Sequence, residues 1–276
     1  MIVDAHQHFW SLERGDYGWL TPALGPIHRD FGPADLKPEL DAHGIARTVL
    51  VQAAATEAET DFLLGIADRT PWVAGVVGWI DFDAPDAPDR IAALADRPDA
   101  VGVRPMIQDL EDIDWMLAPR LTPVFDALAN TRLAFDALVL PRHLDNLLTL
   151  LDRHPDLRTV VDHGSKPPIA AGARQPWAGA IARIAKETGA SVKMSGLVTE
   201  AGDDISAAAL TPWLDHLFES FGPARVLWGS DWPVILLKAS YAEWRETSLR
   251  YLAHLSESDR AAVLGGNAAA FYRLEP

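Results

Sequence analysis

The chain begins Met1-Ile2-Val3-Asp4-Ala5-His6-Gln7-His8, and the reading of this stretch decides the fold. Residues 2–6 have the apolar, partly β-branched composition of a short buried strand. His6 and His8 follow at a spacing of two. Side chains alternate between the faces of a strand, so both imidazoles leave by one face, at the strand's end. Two imidazoles aimed at one point are half of a metal site or of an acid–base site. Alone, a His-x-His pair also suits the cap of an edge strand, so the rest of the chain has to choose.

Seven further apolar runs recur downstream, at 48–52, 73–79, 100–104, 133–138, 159–163, 191–195 and 225–229. Most are continuously apolar, which suits strands buried on both faces of a parallel sheet. Helical patterns lie between them, at 33–43, 57–68, 88–96, 119–130, 141–154, 177–188, 212–221 and 241–252, several with proline near the start and glycine just past the end. Eight strand–helix units in one chain predict a (β/α)8 TIM barrel forming a single domain over 1–276. Segments 256–264 and 267–272 read as terminal helices closing it. The long loop 11–30, rich in Trp, Gly and Pro, follows the first strand and is expected on the catalytic face as a lid or substrate wall.

The 276 residues are 49% hydrophobic, ample for such a core, and carry a net charge of −15. No basic block appears, which argues against nucleic acid and anionic membrane as partners and leaves a small-molecule substrate. There is no cysteine. Disulfide and thiolate chemistry are excluded, and a metal would take His, carboxylate or water ligands. A basic segment followed by an apolar run is missing at the start, so a cytoplasmic protein is expected.

In this barrel the chemistry sits at the carboxyl ends of the strands. The polar residues falling there are His6, His8, Gln52, Trp79 with Asp81, Arg104, Asp136, His163, Lys193 with Ser195, and Ser230 with Asp231. Asp231, in Leu227-Trp-Gly-Ser-Asp231-Trp-Pro233, follows the eighth strand, which neighbours the first in a closed barrel. It can ligate a metal, take a proton from water, or cap the next helix. His163, in Asp162-His163-Gly164, can ligate, polarise a carbonyl or donate a proton; a buried, hydrogen-bonded role is the alternative. Arg104 can hold a carbonyl or a developing oxyanion, or pair with a barrel carboxylate such as Asp136. Trp10, Trp19, Trp79 and Trp232 lie near the same mouth and suit the C–H faces of a sugar ring or ordinary loop packing. The other six histidines fall on loops or helices, where solvated or capping roles are expected.

The stretches Asp4-Ala-His6-Gln-His8-Phe-Trp10, Val49-Leu-Val-Gln52, Gly102-Val-Arg104-Pro105, Asp162-His163-Gly164, Trp228-Gly-Ser-Asp231-Trp-Pro233 and Gly266-Asn267-Ala-Ala-Ala-Phe271-Tyr272 together resemble the amidohydrolase superfamily. Within it they resemble the amidohydrolase 2, fuconolactonase-like group of sugar-lactone hydrolases. The resemblance implies hydrolysis of an L-fucono- or L-rhamnono-lactone-like aldonolactone to the aldonic acid. It implies His6, His8 and Asp231 as ligands of one divalent metal ion, zinc, which some relatives do without. Asp231 would be the base, His163 and Arg104 the other catalytic groups, and Trp10, Gln52, Trp79 and Trp232 the substrate contacts. The wider superfamily often has a bridging lysine or glutamate on the fourth strand and a histidine on the fifth, where this chain has Arg104 and Asp136; that argues for a mononuclear site. Two alternatives stand beside it: a non-oxidative decarboxylase of an aromatic or muconate-type acid on the same barrel, and a non-catalytic binding barrel.

Overall fold

Arg47-Thr-Val-Leu-Val51 shows why the sheet has no wet face: four of its five residues are buried. Such a strand needs helices on one side and a filled interior on the other. The structure, a computed structural model, describes residues 1–275. Its strands are β1 (Val3–Gln7), β2 (Arg47–Val51), β3 (Val73–Gly78), β4 (Ala100–Val103), β5 (Ala134–Ala137), β6 (Thr159–Val161), β7 (Ser191–Met194) and β8 (Val226–Trp228). They form one sheet in chain order, every neighbouring pair parallel. Around it run α1 (Pro33–His43), α2 (Glu57–Ala67), α3 (Ala87–Ala95), α4 (Thr122–Ala129), α5 (Leu144–Arg153), α6 (Trp177–Glu187), the single turn α7 (Leu197–Glu200), α8 (Ala207–Phe221) and α9 (Tyr241–Leu252). α10 (Glu257–Ala261) and α11 (Asn267–Tyr272) follow. Among the described residues no helix is long and apolar enough to cross a membrane.

The barrel closes through the backbone just beyond β8. Asp231 N–H donates to the His6 carbonyl at 2.8 Å and His8 N–H to the Trp232 carbonyl at 2.7 Å. The Asp4 carboxylate staples the seam, accepting from Ser230 N–H at 2.8 Å and from the Tyr241 hydroxyl at 3.0 Å. The approach is close: a Cβ on Gly229 would lie 2.8 Å from that of His6.

Inside, Val3, Ala5, Val49, Val51, Val77, Val101, Ala134, Val160 and Leu227 pack with Ala268 and Tyr272 of α11, so the last helix plugs the N-terminal end. β1 then does what alternation alone does not foretell. Its register against β2 slips between Asp4 and Gln7, inserting one extra residue. Val3 and Ala5 belong to the inner cluster, yet His6 also meets interior groups, Lys193 and Asp162. The bulge re-aims both histidines into the mouth, a recurrent use of bulges beside active sites.

All eight expected strands and the helices between them form, with boundary shifts. α8 starts at Ala207 rather than 212, because Ser206 supplies an N-cap to Ala209 N–H and Leu210 joins the core. That offsets the backbone bond Pro212 cannot make. The turn α7 has no sequence signature. Loop 11–30 is pinned to the β2–α2 loop by Trp19 Nε1–H on the Ala53 carbonyl (2.8 Å) and the Thr56 hydroxyl on Asp16 (3.0 Å).

Glu59, fully buried, holds that second loop by accepting from Ala53 N–H at 2.9 Å and Ala54 N–H at 2.7 Å. Burial pushes its carboxyl up to about 7 against the pull of these amides. The folded chain therefore keeps a proton that the unfolded chain loses near the ordinary 4.5. Through that interval folding takes up a proton, so this group's contribution to stability falls as pH rises and is level above it. Glu59→Gln cannot titrate. Its unfolding free energy relative to wild type should rise by up to about 3 kcal/mol between pH 4.5 and pH 8, read from urea unfolding across that range. Parallel pH curves would refute the assignment.

Candidate active site

Four side chains converge above the inner cluster. His6 Nε2 lies 3.2 Å from His8 Nε2 and 3.7 Å from Asp231 Oδ1. Asp231 Oδ1 lies 3.3 Å from His8 Nε2 and 3.9 Å from His163 Nε2. All four are buried. Asp231 has left-handed backbone (φ 59°), and its carboxylate faces the imidazoles rather than the backbone amides of the turn Val234–Leu237, so the capping alternative fails. His163 arrives by a second departure from strand geometry. β6 ends at Val161, and by alternation Asp162 faces inward with Val160. A left-handed conformation at His163 (φ 53°) turns its ring back into the mouth. Gly196, itself at φ 63°, makes room, since a Cβ there would fall onto the His163 ring.

Each imidazole is oriented by its far nitrogen. His8 Nδ1–H donates to the Val51 carbonyl at 2.8 Å, which turns Nε2 toward Asp231. His163 Nδ1 meets the Ser195 hydroxyl at 2.9 Å. His6 Nδ1 lies 3.0 Å from Lys193 Nζ. Burial holds His163 down at about 4 and, with Lys193, holds His6 well below its ordinary value, so both rings are neutral at pH 7. Burial pushes the Asp231 carboxyl up, but the surrounding imidazoles together outweigh it and hold it below the ordinary carboxylate range.

Beneath lies a buried ionic layer. Lys193 Nζ pairs with Asp136 Oδ2 at 2.5 Å and with Asp162 Oδ1 at 3.0 Å; Tyr272 donates to Asp136 Oδ2 at 2.7 Å. Arg104 pairs with Asp162 at 3.2 Å rather than with Asp136. Its remaining terminal nitrogen donates to the Gln52 carbonyl and Oε1. The sequence places Lys193 and Ser195 at the catalytic end but assigns no role in the site to them or to Asp162. The signal was there for β7: Ser191, Lys193 and Ser195 share one face of a strand at spacing two.

The residues fit a divalent metal. Donor atoms of His6, His163 and Asp231 all lie within 4.8 Å of one another, and His8 Nε2 borders the group. In the present arrangement the Lys193 ammonium donates to His6 Nδ1. Ligation through His6 Nε2 places the ring proton on Nδ1, where Asp162 Oδ1, also paired with Lys193, stands 3.6 Å away.

A cavity of about 220 Å3 opens above the cluster. His8, Arg104, His163 and Asp231 form its floor. Trp19, Met106, Leu138 and Val234 give apolar walls, and Gln108, Asp109 and Lys166 polar ones. Of the four residues expected to contact substrate, none lines it. Trp10 is buried, packing edge-on against Trp19 and Phe31. Trp232 packs edge-on against Phe9 and Phe31. Gln52 is spent on Arg104. Trp79 sits outside the barrel between α2 and α3, because its strand has already ended at Gly78. Trp19, from the loop expected to be a wall, takes their place. A larger cavity of about 410 Å3 lies between Arg47, Arg132 and Tyr272 at the N-terminal end; it contains none of the histidines and lies at the wrong end for barrel chemistry.

Residues 3–274 match the amidohydrolase family. The chain belongs to that family. It is 45% identical over 279 residues to an L-fucono-1,5-lactonase of Burkholderia ambifaria, covering 99% of this chain and 96% of the relative. An L-fucono-1,5-lactonase of Burkholderia multivorans is 35% identical with the same coverage. The crystal structure of an amidohydrolase from Burkholderia multivorans with bound zinc superposes with a TM-score of 0.94 at 34% identity, covering 100% of both chains.

Removing Lys193 would leave two buried carboxylates without their shared cation. Lys193→Met should destabilise by about 3–5 kcal/mol. The loss should be greater at pH 8 than at pH 5. Burial already pushes the Asp136 carboxyl up to about 6 against the pull of Lys193, and without the lysine a proton is retained to higher pH. Denaturant unfolding at both pH values decides; a cost under about 1 kcal/mol at pH 8 would show the layer to be dispensable.

Proposed function

We propose that this protein hydrolyses a sugar lactone, an L-fucono- or L-rhamnono-lactone-like aldonolactone, to the aldonic acid. The observation carrying the reading is one ionised, buried carboxylate, Asp231, set against three imidazoles, two of which join it on the floor of a cavity with apolar and polar walls. The 45% identity to an L-fucono-1,5-lactonase over nearly the whole chain supports the substrate class.

Asp231 accepts a proton from a water that His6 and His8 position, and the water oxygen attacks the lactone carbonyl carbon. The carbonyl π pair moves onto oxygen. When the carbonyl re-forms, the ring C–O bond breaks and the departing oxygen takes the proton from Asp231, which is thereby regenerated. His163, neutral and steadied by Ser195, polarises the carbonyl or assists the departing oxygen. Arg104 contributes through its fixed charge and its hold on Asp162. A divalent metal ion held by Asp231 with His6 and with His8 or His163, zinc by kinship, supplies Lewis-acid polarisation when bound. A cytoplasmic site of action is part of this reading.

Asp231→Asn keeps the side chain's shape and removes its basicity. Turnover of L-fucono-lactone should fall by about 10²–10⁴-fold, with cooperative unfolding retained. His254→Asn, on the exposed surface, should leave the rate unchanged. Near-native turnover by folded Asp231→Asn would place the base elsewhere. Elemental analysis after zinc loading and removal of excess should find one equivalent per chain; two would contradict a mononuclear site.

A further inference from the structure

Opening a lactone puts negative charge on the carbonyl oxygen and ends in a carboxylate, formed here beside an aspartate in a chain of net charge −15. A cation with free hydrogen-bonding capacity beside the carbonyl would stabilise that charge, and two of the three side-chain cations nearby are committed. The Arg104 guanidinium is bound to Gln52 and Asp162 and is almost wholly enclosed. Lys193 lies beneath the floor, spent on Asp136, Asp162 and His6. Lys166 is different. It is half-buried on the cavity wall, and among the described residues it makes no hydrogen bond or ion pair with its side chain. Its charge reaches His163 and Glu200 without contact.

The backbone that delivers it is unusual. His163, Gly164, Ser165 and Lys166 form a left-handed turn, φ 53°, 57°, 63° and 47°, closed by Lys166 N–H on the His163 carbonyl at 2.9 Å. Each non-glycine residue there costs about 1–2 kcal/mol, and such strain concentrates where function demands it. The turn is enclosed: Gly164 and Ser165 are buried, and the Gly164 carbonyl accepts from Trp177 Nε1–H at 2.8 Å. One turn thus aims His163 at Asp231 and sets Lys166 at the rim of the same cavity.

We propose that Lys166 is a catalytic residue, its ammonium binding the lactone carbonyl oxygen as that oxygen becomes negative and then the carboxylate of the product. The inference rests on the lactone-hydrolase reading. Water adds to the carbonyl carbon, the displaced electron pair rests on the oxygen facing Lys166, and collapse expels the ring oxygen, which takes the proton from Asp231. Lys166 keeps its own protons throughout.

The test compares Lys166→Met, Lys166→Asn and Lys166→Arg with wild type, using L-fucono-lactone for kinetics and sodium L-fuconate for calorimetric binding. Asparagine tolerates left-handed backbone better than methionine, so loss in both variants reports charge rather than strain. For both, kcat should fall by about 10²–10³-fold, KM should stay within roughly threefold, and the L-fuconate Kd should rise at least about tenfold, as expected for a lost charged hydrogen bond. Lys166→Arg should retain more of both. Folded Met and Asn variants with near-native kcat and L-fuconate affinity would overturn the proposal. So would a rise in KM alone, which would assign Lys166 to the sugar hydroxyls. Wild-type protein that opens no aldonolactone would instead defeat the underlying reading.

Discussion

The seam between β1 and the segment after β8 is the constraint on which the rest depends. A barrel must close, and here the closing hydrogen bonds belong to the catalytic residues' own backbones: Asp231 to His6 and His8 to Trp232. The Asp4 carboxylate, buried one turn of the pleat below His6, fixes the seam by binding Ser230 and Tyr241. Closure and assembly of the site are thus one event. The first and last strands, more than two hundred residues apart in sequence, bring two histidines and the aspartate to one point.

The interior is stratified. Apolar side chains and Tyr272 fill the N-terminal end, a neutralised Lys193–Asp136–Asp162–Arg104 layer lies above, and three imidazoles face one carboxylate at the top. Buried charge is tolerable only when paired and hydrogen-bonded. Burial, aided by the Lys193 ammonium, holds His6 below its ordinary value, so Lys193 acts on the chemistry from beneath the cavity floor.

Much of this was legible in the sequence because continuous apolar runs and their spacing report a parallel barrel directly. His6, His8, His163 and Asp231 were placed at one mouth by the rule that barrel chemistry lies at strand ends. The means of their placement was hidden. Period-two alternation predicts neither the β1 bulge nor the left-handed turn at His163, since both are local departures that only the surrounding packing stabilises. The substrate wall was read less well. Trp79 and Trp232 are near strand ends in sequence, but aromatic residues there pack into interhelical or loop cores as readily as they line a mouth. Trp19, which the sequence places near the mouth, does line the cavity, held there by its indole nitrogen on the Ala53 carbonyl, a long-range contact with no local signature.

The most direct test of this dependence is lactone turnover by Asp4→Asn, a substitution at a residue that touches no substrate. Loss of one carboxylate oxygen should loosen the Ser230–Tyr241 staple and displace Asp231 from the histidines. Misplacement of about 1 Å can cost on the order of 10²-fold in rate, and a drop of that size in kcat, in a variant that still unfolds cooperatively, is the predicted result. Unchanged kcat would contradict the claim that the β1–β8 seam assembles the site.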